Sequence, residues 1–289
     1  MFYIKYLLWK NSKLRVCYLR YAFEPESTEN SLRECQRLEQ EVDNLKPHVD
    51  ISSGKEIAYA MLPTMVDGKV KFTWSQTTAS LNNCYVCGAK PKELSKRESD
   101  KFAPDRKALR FGFSNLHVKL RSFDYICKTS INRDFKCHQC VAANAGLQAV
   151  RKDELVTRFK THFGYTLYDG FGAAKNGHIA RAAFARPLLF SEVTAVPLFI
   201  IMGIKTAIEA IDCPKRISPE KYAAFANQWL DDFHESGWEW SWLSPTVHMI
   251  FHHGADIFRI MPVPTSLLTG HVAFTEIMTN LLRISGPEN

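Results

Sequence analysis

Apolar and polar positions alternate over residues 14–23, a period of two that predicts a strand. The spacing then becomes helical over 28–45, where Leu32, Cys35, Leu38, Val42 and Leu45 share a face ahead of Pro47. Two further apolar runs, 55–63 and 69–75, flank Val66-Asp67-Gly68, and Asp-Gly between such runs predicts a hairpin. The next stretch, Lys90 to Lys107, interleaves basic residues with Glu93, Glu98, Asp100 and Asp105 and reads as a solvated loop. Residues 116–131 show mixed spacing. Beyond Lys136 the pattern is mainly helical, with helices expected over 150–162, 218–236 and 245–262 and a glycine-containing loop over 165–178. Phe184 to Ile204 is apolar apart from Arg186 and Glu192, but Pro187 and Pro197 break it, so it predicts a buried core segment rather than a membrane span.

Composition narrows the class. With 46% apolar and 23% charged residues the 289-residue chain has the balance of a folded protein, as one large domain or two ordinary ones. The apolar run Phe2 to Trp9 is interrupted by Lys5 and is too short to cross a bilayer, so no membrane partner is expected. No secretory leader pattern precedes the eight cysteines, which makes disulfides unexpected and an intracellular setting the reading. A net charge of +7 is compatible with a nucleic-acid partner without requiring one. The glycines between 164 and 172 lack the lysine and serine of a phosphate loop, so no nucleotide cofactor is expected.

The chemistry that can be read starts at Asn83-Cys84-Tyr85-Val86-Cys87-Gly88. Two cysteines separated by two residues and followed by glycine form a knuckle that turns both sulfurs toward one point, the half-site of a structural zinc. Zinc takes four ligands, and two second pairs compete. Cys137 and Cys140 repeat the two-residue spacing, whereas His248 with His252 or His253 lies in a segment whose Pro245 suits a helix start. On a regular helix His248 and His252 share a face; His253 would need a distorted turn, which a helix ending at Gly254 could supply.

Four separated motifs occur in a fixed order: Cys84-Tyr85-Val86-Cys87, Leu116-His117, Asn176-Gly177-His178-Ile179-Ala180-Arg181, and Val247-His248 through His253. In that order the chain resembles the catalytic core of Transib transposases and the related V(D)J recombinase subunit. It is similar also to shortened, transposon-derived animal proteins over residues 65–70 and 84–91. The resemblance runs from about residue 15 to residue 285. It implies an α+β fold in which a remnant RNase H-like core, a mixed sheet with helices, carries a largely helical zinc-binding insertion. The corresponding divisions are 1–80 for the strand, helix and hairpin part of the core, 81–260 for the insertion, and 261–289 for a C-terminal helical segment. It implies zinc held by Cys84, Cys87, His248 and His253, with Cys137 and Cys140 incidental.

The same resemblance implies two-metal DNA chemistry, which needs three carboxylates. The first would fall near Glu24 or Glu26, the second at Lys119, and the third on a helix after the histidines, where Glu276 fits only with a shift. A lysine where an anion is required implies a lost centre, although Asp124 could stand in one turn on. Magnesium is therefore not expected. Modules that recognise transposon ends would lie upstream, so end-specific binding is not expected either. The expectation is a transposase-derived zinc protein, catalytically inactive, binding DNA nonspecifically and resident in the nucleus or the cytoplasm, the resemblance favouring the nucleus. The alternatives are an active two-metal transposase or nuclease and a zinc-stabilised module for an unknown protein partner. His178 and Arg181 could contact phosphates from an Asn-Gly helix start or simply cap a helix. Trp238, Trp240 and Trp242, alternating as on a strand, could stack on bases or pack.

Overall fold

The computed structural model describes residues 2–260 except 11–12, 22–26, 47, 50–53, 55, 58–67, 76, 78–79, 98–101, 137–141 and 169. The chain divides into two compact units, with 1–61 in the first and 62–269 in the second. In the first, β1 (Phe2–Lys10) and β2 (Lys13–Tyr21) form an antiparallel ribbon with Phe2 opposite Tyr21. Helix α1 (Thr28–Asp43) follows, N-capped by Ser27, whose hydroxyl accepts from the Asn30 amide at 3.1 Å. The two-residue strands β3 (His48–Val49) and β4 (Glu56–Ile57) pair antiparallel.

The second unit is helical: α2 (Gly68–Ser75), α3 (Arg106–Leu109), α4 (Asn115–Asn132), α5 (Ala145–Phe163), α6 (Gly177–Ala185), α7 (Pro187–Thr194), α8 (Leu198–Asp212), α9 (Pro219–Glu235), α10 (Pro245–His248) and α11 (Gly254–Ile260). Two expectations fail here. The described residues are about 70% helical and pair strands only in the two ribbons of the first unit, so they hold no RNase H-like mixed sheet and the fold is not the expected α+β core. The second arm of the expected hairpin, 69–75, is helix α2 instead; residues 58–67 lie outside the described set. Its alternation is overridden by tertiary contacts. Val70 and Trp74 are buried one turn apart, and the buried Lys71 ammonium donates to the Gly112 carbonyl at 3.1 Å.

Helix α4 is the hub. It packs against α5, α6, α7, α8 and α10, with Phe123 wedged between Phe159 and Phe190 at ring separations of 5.7 and 5.6 Å. A helix covered on most sides carries no clean apolar stripe, which is why 116–131 reads as mixed. The apolar segment 184–204 is divided among α6, α7 and α8, with Pro187 opening α7 and Pro197 capping α8. No described helix is long and apolar enough to cross a membrane.

Helices α8 and α9 meet through a missing side chain. A Cβ on Gly203 would stand 2.0 Å from Trp229 Cδ1, so only glycine admits the indole. Between α5 and α6 the connection is held by Asn176, which is fully buried. Its side chain accepts from the Tyr168 amide at 3.1 Å and donates toward the carbonyls of Tyr168, Gly170 and Phe171 at 3.2 to 3.3 Å. Asn176→Ala would strand these groups, and a loss of about 2–3 kcal/mol is expected in urea unfolding. An unchanged midpoint would show that the clamp contributes nothing.

Candidate metal centre

The knuckle is built by backbone geometry. The Cys84 amide donates to the Ala89 carbonyl at 2.9 Å and the Gly88 amide to the Cys84 carbonyl at 2.8 Å. Gly88 closes the turn with φ +75°, a conformation that glycine adopts without steric cost. Cys84 is fully buried and its sulfur accepts from the Val86 amide at 3.4 Å. The expected solvated loop folds back over this turn instead. Leu94, Ser95 and Phe102 are buried, and the Ser95 hydroxyl accepts from the Leu243 amide at 2.8 Å.

The partner histidines come from the far end of the unit. Ser244 N-caps α10, its hydroxyl accepting from the Val247 amide at 3.3 Å, and Pro245 takes the first helical position. The helix then widens into a π-helical turn over Met249–His253 before resuming as α11. On an α-helix the fifth residue along lies about 140° round from the first, whereas the fourth lies about 40° away. The wider turn absorbs one residue and brings His253, rather than His252, round to the cysteines together with His248. Gly254 does not end the helix, contrary to the reading from sequence; α11 begins there. It makes room for Tyr222, whose ring would meet a Gly254 Cβ at 2.4 Å. The Tyr222 hydroxyl donates to the Ile250 carbonyl inside the widened turn at 3.2 Å, and Trp229 stacks on Phe251 at 3.7 Å and 8°. Helix α9 thus braces the irregular turn from one side.

The ligand atoms of Cys84, Cys87, His248 and His253 all lie within 4.8 Å of one another. The Cys87 sulfur and His248 Nε2 are 3.4 Å apart, close to the edge of about 3.5 Å that tetrahedral Zn–S and Zn–N bonds of about 2.3 and 2.0 Å generate. His248 Nδ1 sits 2.8 Å from the Leu94 carbonyl, so Nδ1–H donates there and Nε2 faces the cluster with its lone pair free. Both ring nitrogens of His253 are buried without a hydrogen-bond partner among the described residues, an arrangement that is costly unless another ligand satisfies it. Burial pushes the Cys84 thiol up, and the hydrogen bond from that thiol holds Cys87 far below the usual thiol range. One thiolate is therefore already stabilised, and a divalent cation would favour the second. The residues fit zinc.

No family model and no curated protein matches the chain.

The remaining candidates are distributed as follows. His252 lies outside the cluster, stacked on His248 at 4.2 Å and against Phe102 at 5.3 Å; burial, followed by the neighbouring imidazoles, lowers its pKa to about 2. Cys137, Cys140, Glu24, Glu26 and Glu276 lie outside the described residues. Lys119 pairs with Asp212 of α8 at 3.0 Å. Asp124 pairs with Lys128 at 2.8 Å and is, among the described residues, the one carboxylate lining a cavity of about 740 Å³ that is also lined by Lys71, His117, Arg121 and Lys128. That lining has the wrong charge to hold two divalent ions. His178 and Arg181 are exposed on α6, and Asn176 clamps the preceding loop rather than capping the helix with its side chain. Trp238 and Trp240 lean on each other at 5.4 Å in a turn, half-buried and not on a strand.

Sequence reasoning missed the Leu94 carbonyl, Phe102 and the α9 brace. The first acts through backbone, which no side-chain motif records. Phe102 sits in a charged stretch where a lone aromatic was the available signal.

Proposed function

We propose that the chain is a zinc-stabilised helical binding module derived from a Transib-type transposase or recombinase. It has no strand-transfer centre of its own and contacts DNA nonspecifically through its basic surface. The observation that carries the reading is the buried Cys84, Cys87, His248 and His253 cluster, in which Nε2 of His248 is oriented by the Leu94 carbonyl. Four protein ligands leave no open position for water, the arrangement of a structural rather than a catalytic zinc. The metal would tie the knuckle loop to the π turn across 161 residues of sequence, from Cys87 to His248. The paired states of Lys119 and Asp124 favour a role without two-metal chemistry.

Metal content of purified variants tests this reading. His253→Ala is expected to lose zinc, whereas His252→Ala and Cys137→Ser keep one zinc per chain. Zinc retained in His253→Ala but lost in Cys137→Ser would sink the ligand assignment and the kinship argued from it.

A further inference from the structure

The segment 158–186 concentrates positive charge. It carries Arg158, Lys160, Lys175, Arg181 and Arg186 against Asp169 alone, five cations to one acid, which accounts for four of the chain's surplus of +7. All five cations are exposed, and none pairs with a carboxylate among the described residues. On neighbouring turns the opposite holds: Arg151 pairs with both Asp134 and Glu154. This unneutralised surface also displays aromatic rings. Tyr168 is 50% exposed with the Lys175 ammonium 5.8 Å from its ring centre, and Tyr165 lies edge-on to His178 at 5.3 Å. Arg181 follows His178 one turn along the same face of α6.

The Tyr168 ring is presented rather than loosely tethered. Its amide and carbonyl are both bound by the buried Asn176 side chain, which also holds the Gly170 and Phe171 carbonyls. Gly172 lets the base of this loop lie close against α4. A Cβ there would meet Arg121 Nη1 at 3.0 Å and Asp124 Cβ at 3.3 Å. An exposed aromatic on a rigid backbone beside unpaired cations is the combination that recognises unpaired bases, whose faces stack while phosphates meet the charges. A duplex hides those faces. An acidic peptide would use the cations and leave the rings idle.

We propose that this face, centred on Tyr168 with Lys175, His178 and Arg181, binds single-stranded nucleic acid, one base stacking on Tyr168 and the backbone running past Lys175 and Arg181. The site shares no residue with the zinc cluster and rests on the binding-module reading only in requiring that the helical unit be folded.

The test is fluorescence anisotropy of the full chain with labelled oligothymidine and with a duplex of equal length, over a salt series. Zinc content and helical circular dichroism are recorded for each protein. The single strand is expected to bind more tightly than the duplex. Tyr168→Ala should weaken it roughly tenfold or more while Tyr168→Phe binds like the wild type. Lys175→Ala and Arg181→Ala should each flatten the plot of log K against log salt by about 0.7. No salt-dependent binding, duplex binding at least as tight as single-strand binding, or a Tyr168→Ala affinity equal to wild type would each overturn the proposal. With zinc and helicity retained, such a failure would count against this face alone. Loss of zinc from the wild type would count against the module reading.

Discussion

Cys84→Ser is expected to release the metal and to lower the thermal midpoint by roughly 10 °C, from a loss of about 3–5 kcal/mol in a unit of this size. The serine hydroxyl cannot supply the thiolate that zinc binds, and the site it vacates is fully buried. Three ligands would remain, among them a Cys87 whose low proton affinity depends first on the Cys84 hydrogen bond. His253 would keep its two unsatisfied nitrogens in the core. The cost therefore combines lost coordination with uncompensated buried polar groups. Differential scanning calorimetry with and without a chelator measures it. A chelator should move the wild type toward the variant and leave the variant unmoved. Equal midpoints for the two proteins, with zinc still bound to both, would contradict this account.

The second large effect is expected far from the ligands in sequence. Gly203→Ala would put a methyl group 2.0 Å from Trp229 Cδ1 and 2.1 Å from Nε1, separations that no rotamer of alanine relieves. Trp229 is buried, stacked between Phe251 and Phe233, and cannot retreat without displacing one of them. Overpacking of this kind costs about 3 kcal/mol. Because Phe251 belongs to the π turn that carries His253, zinc affinity should fall along with stability. Competition with a chromophoric chelator would show it. Gly146→Ala, on α5 with nothing within 4 Å of the added methyl, is the matched control and should be neutral or slightly stabilising. If Gly203→Ala unfolds at the wild-type midpoint with unchanged zinc affinity, the coupling from α8 through α9 to the π turn does not exist.

Part of this arrangement was legible beforehand. Helical spacing placed α1, α9 and the histidine-bearing segment, and the prolines at 187 and 197 marked where the apolar run 184–204 divides between helices. Cys84-x-x-Cys87-Gly88 announced half of the Cys/His cluster because the turn geometry is encoded locally. The other half was ambiguous. A helical wheel pairs His248 with His252, and only the π turn, stabilised by Tyr222 and Trp229 of another helix, exchanges that partner for His253. Single-sequence periodicity carries no signal for such a turn, since it measures local spacing and the cause is tertiary. The resemblance named the histidine that lies in the Cys/His cluster and implied a fold that the described residues do not have. Its motifs sit at the Cys/His cluster and on α4 and α6, whereas the mixed sheet it implied would need strands where Lys71 and Trp74 are instead held on a helix. Asn176 carried a third lesson. An Asn-Gly pair before a helix suggests a cap, but the side chain turns inward to bind the loop, and only burial distinguishes the two.

The central claim is a zinc ion held by two sulfurs and two imidazoles, and X-ray absorption at the zinc edge of the wild-type protein tests it most directly. We expect two sulfur scatterers at about 2.3 Å and two nitrogen scatterers at about 2.0 Å, with the outer-shell pattern of histidine rings. A shell of four sulfurs would assign the metal to Cys137 and Cys140 with the knuckle, and protein purified without zinc would remove the centre altogether.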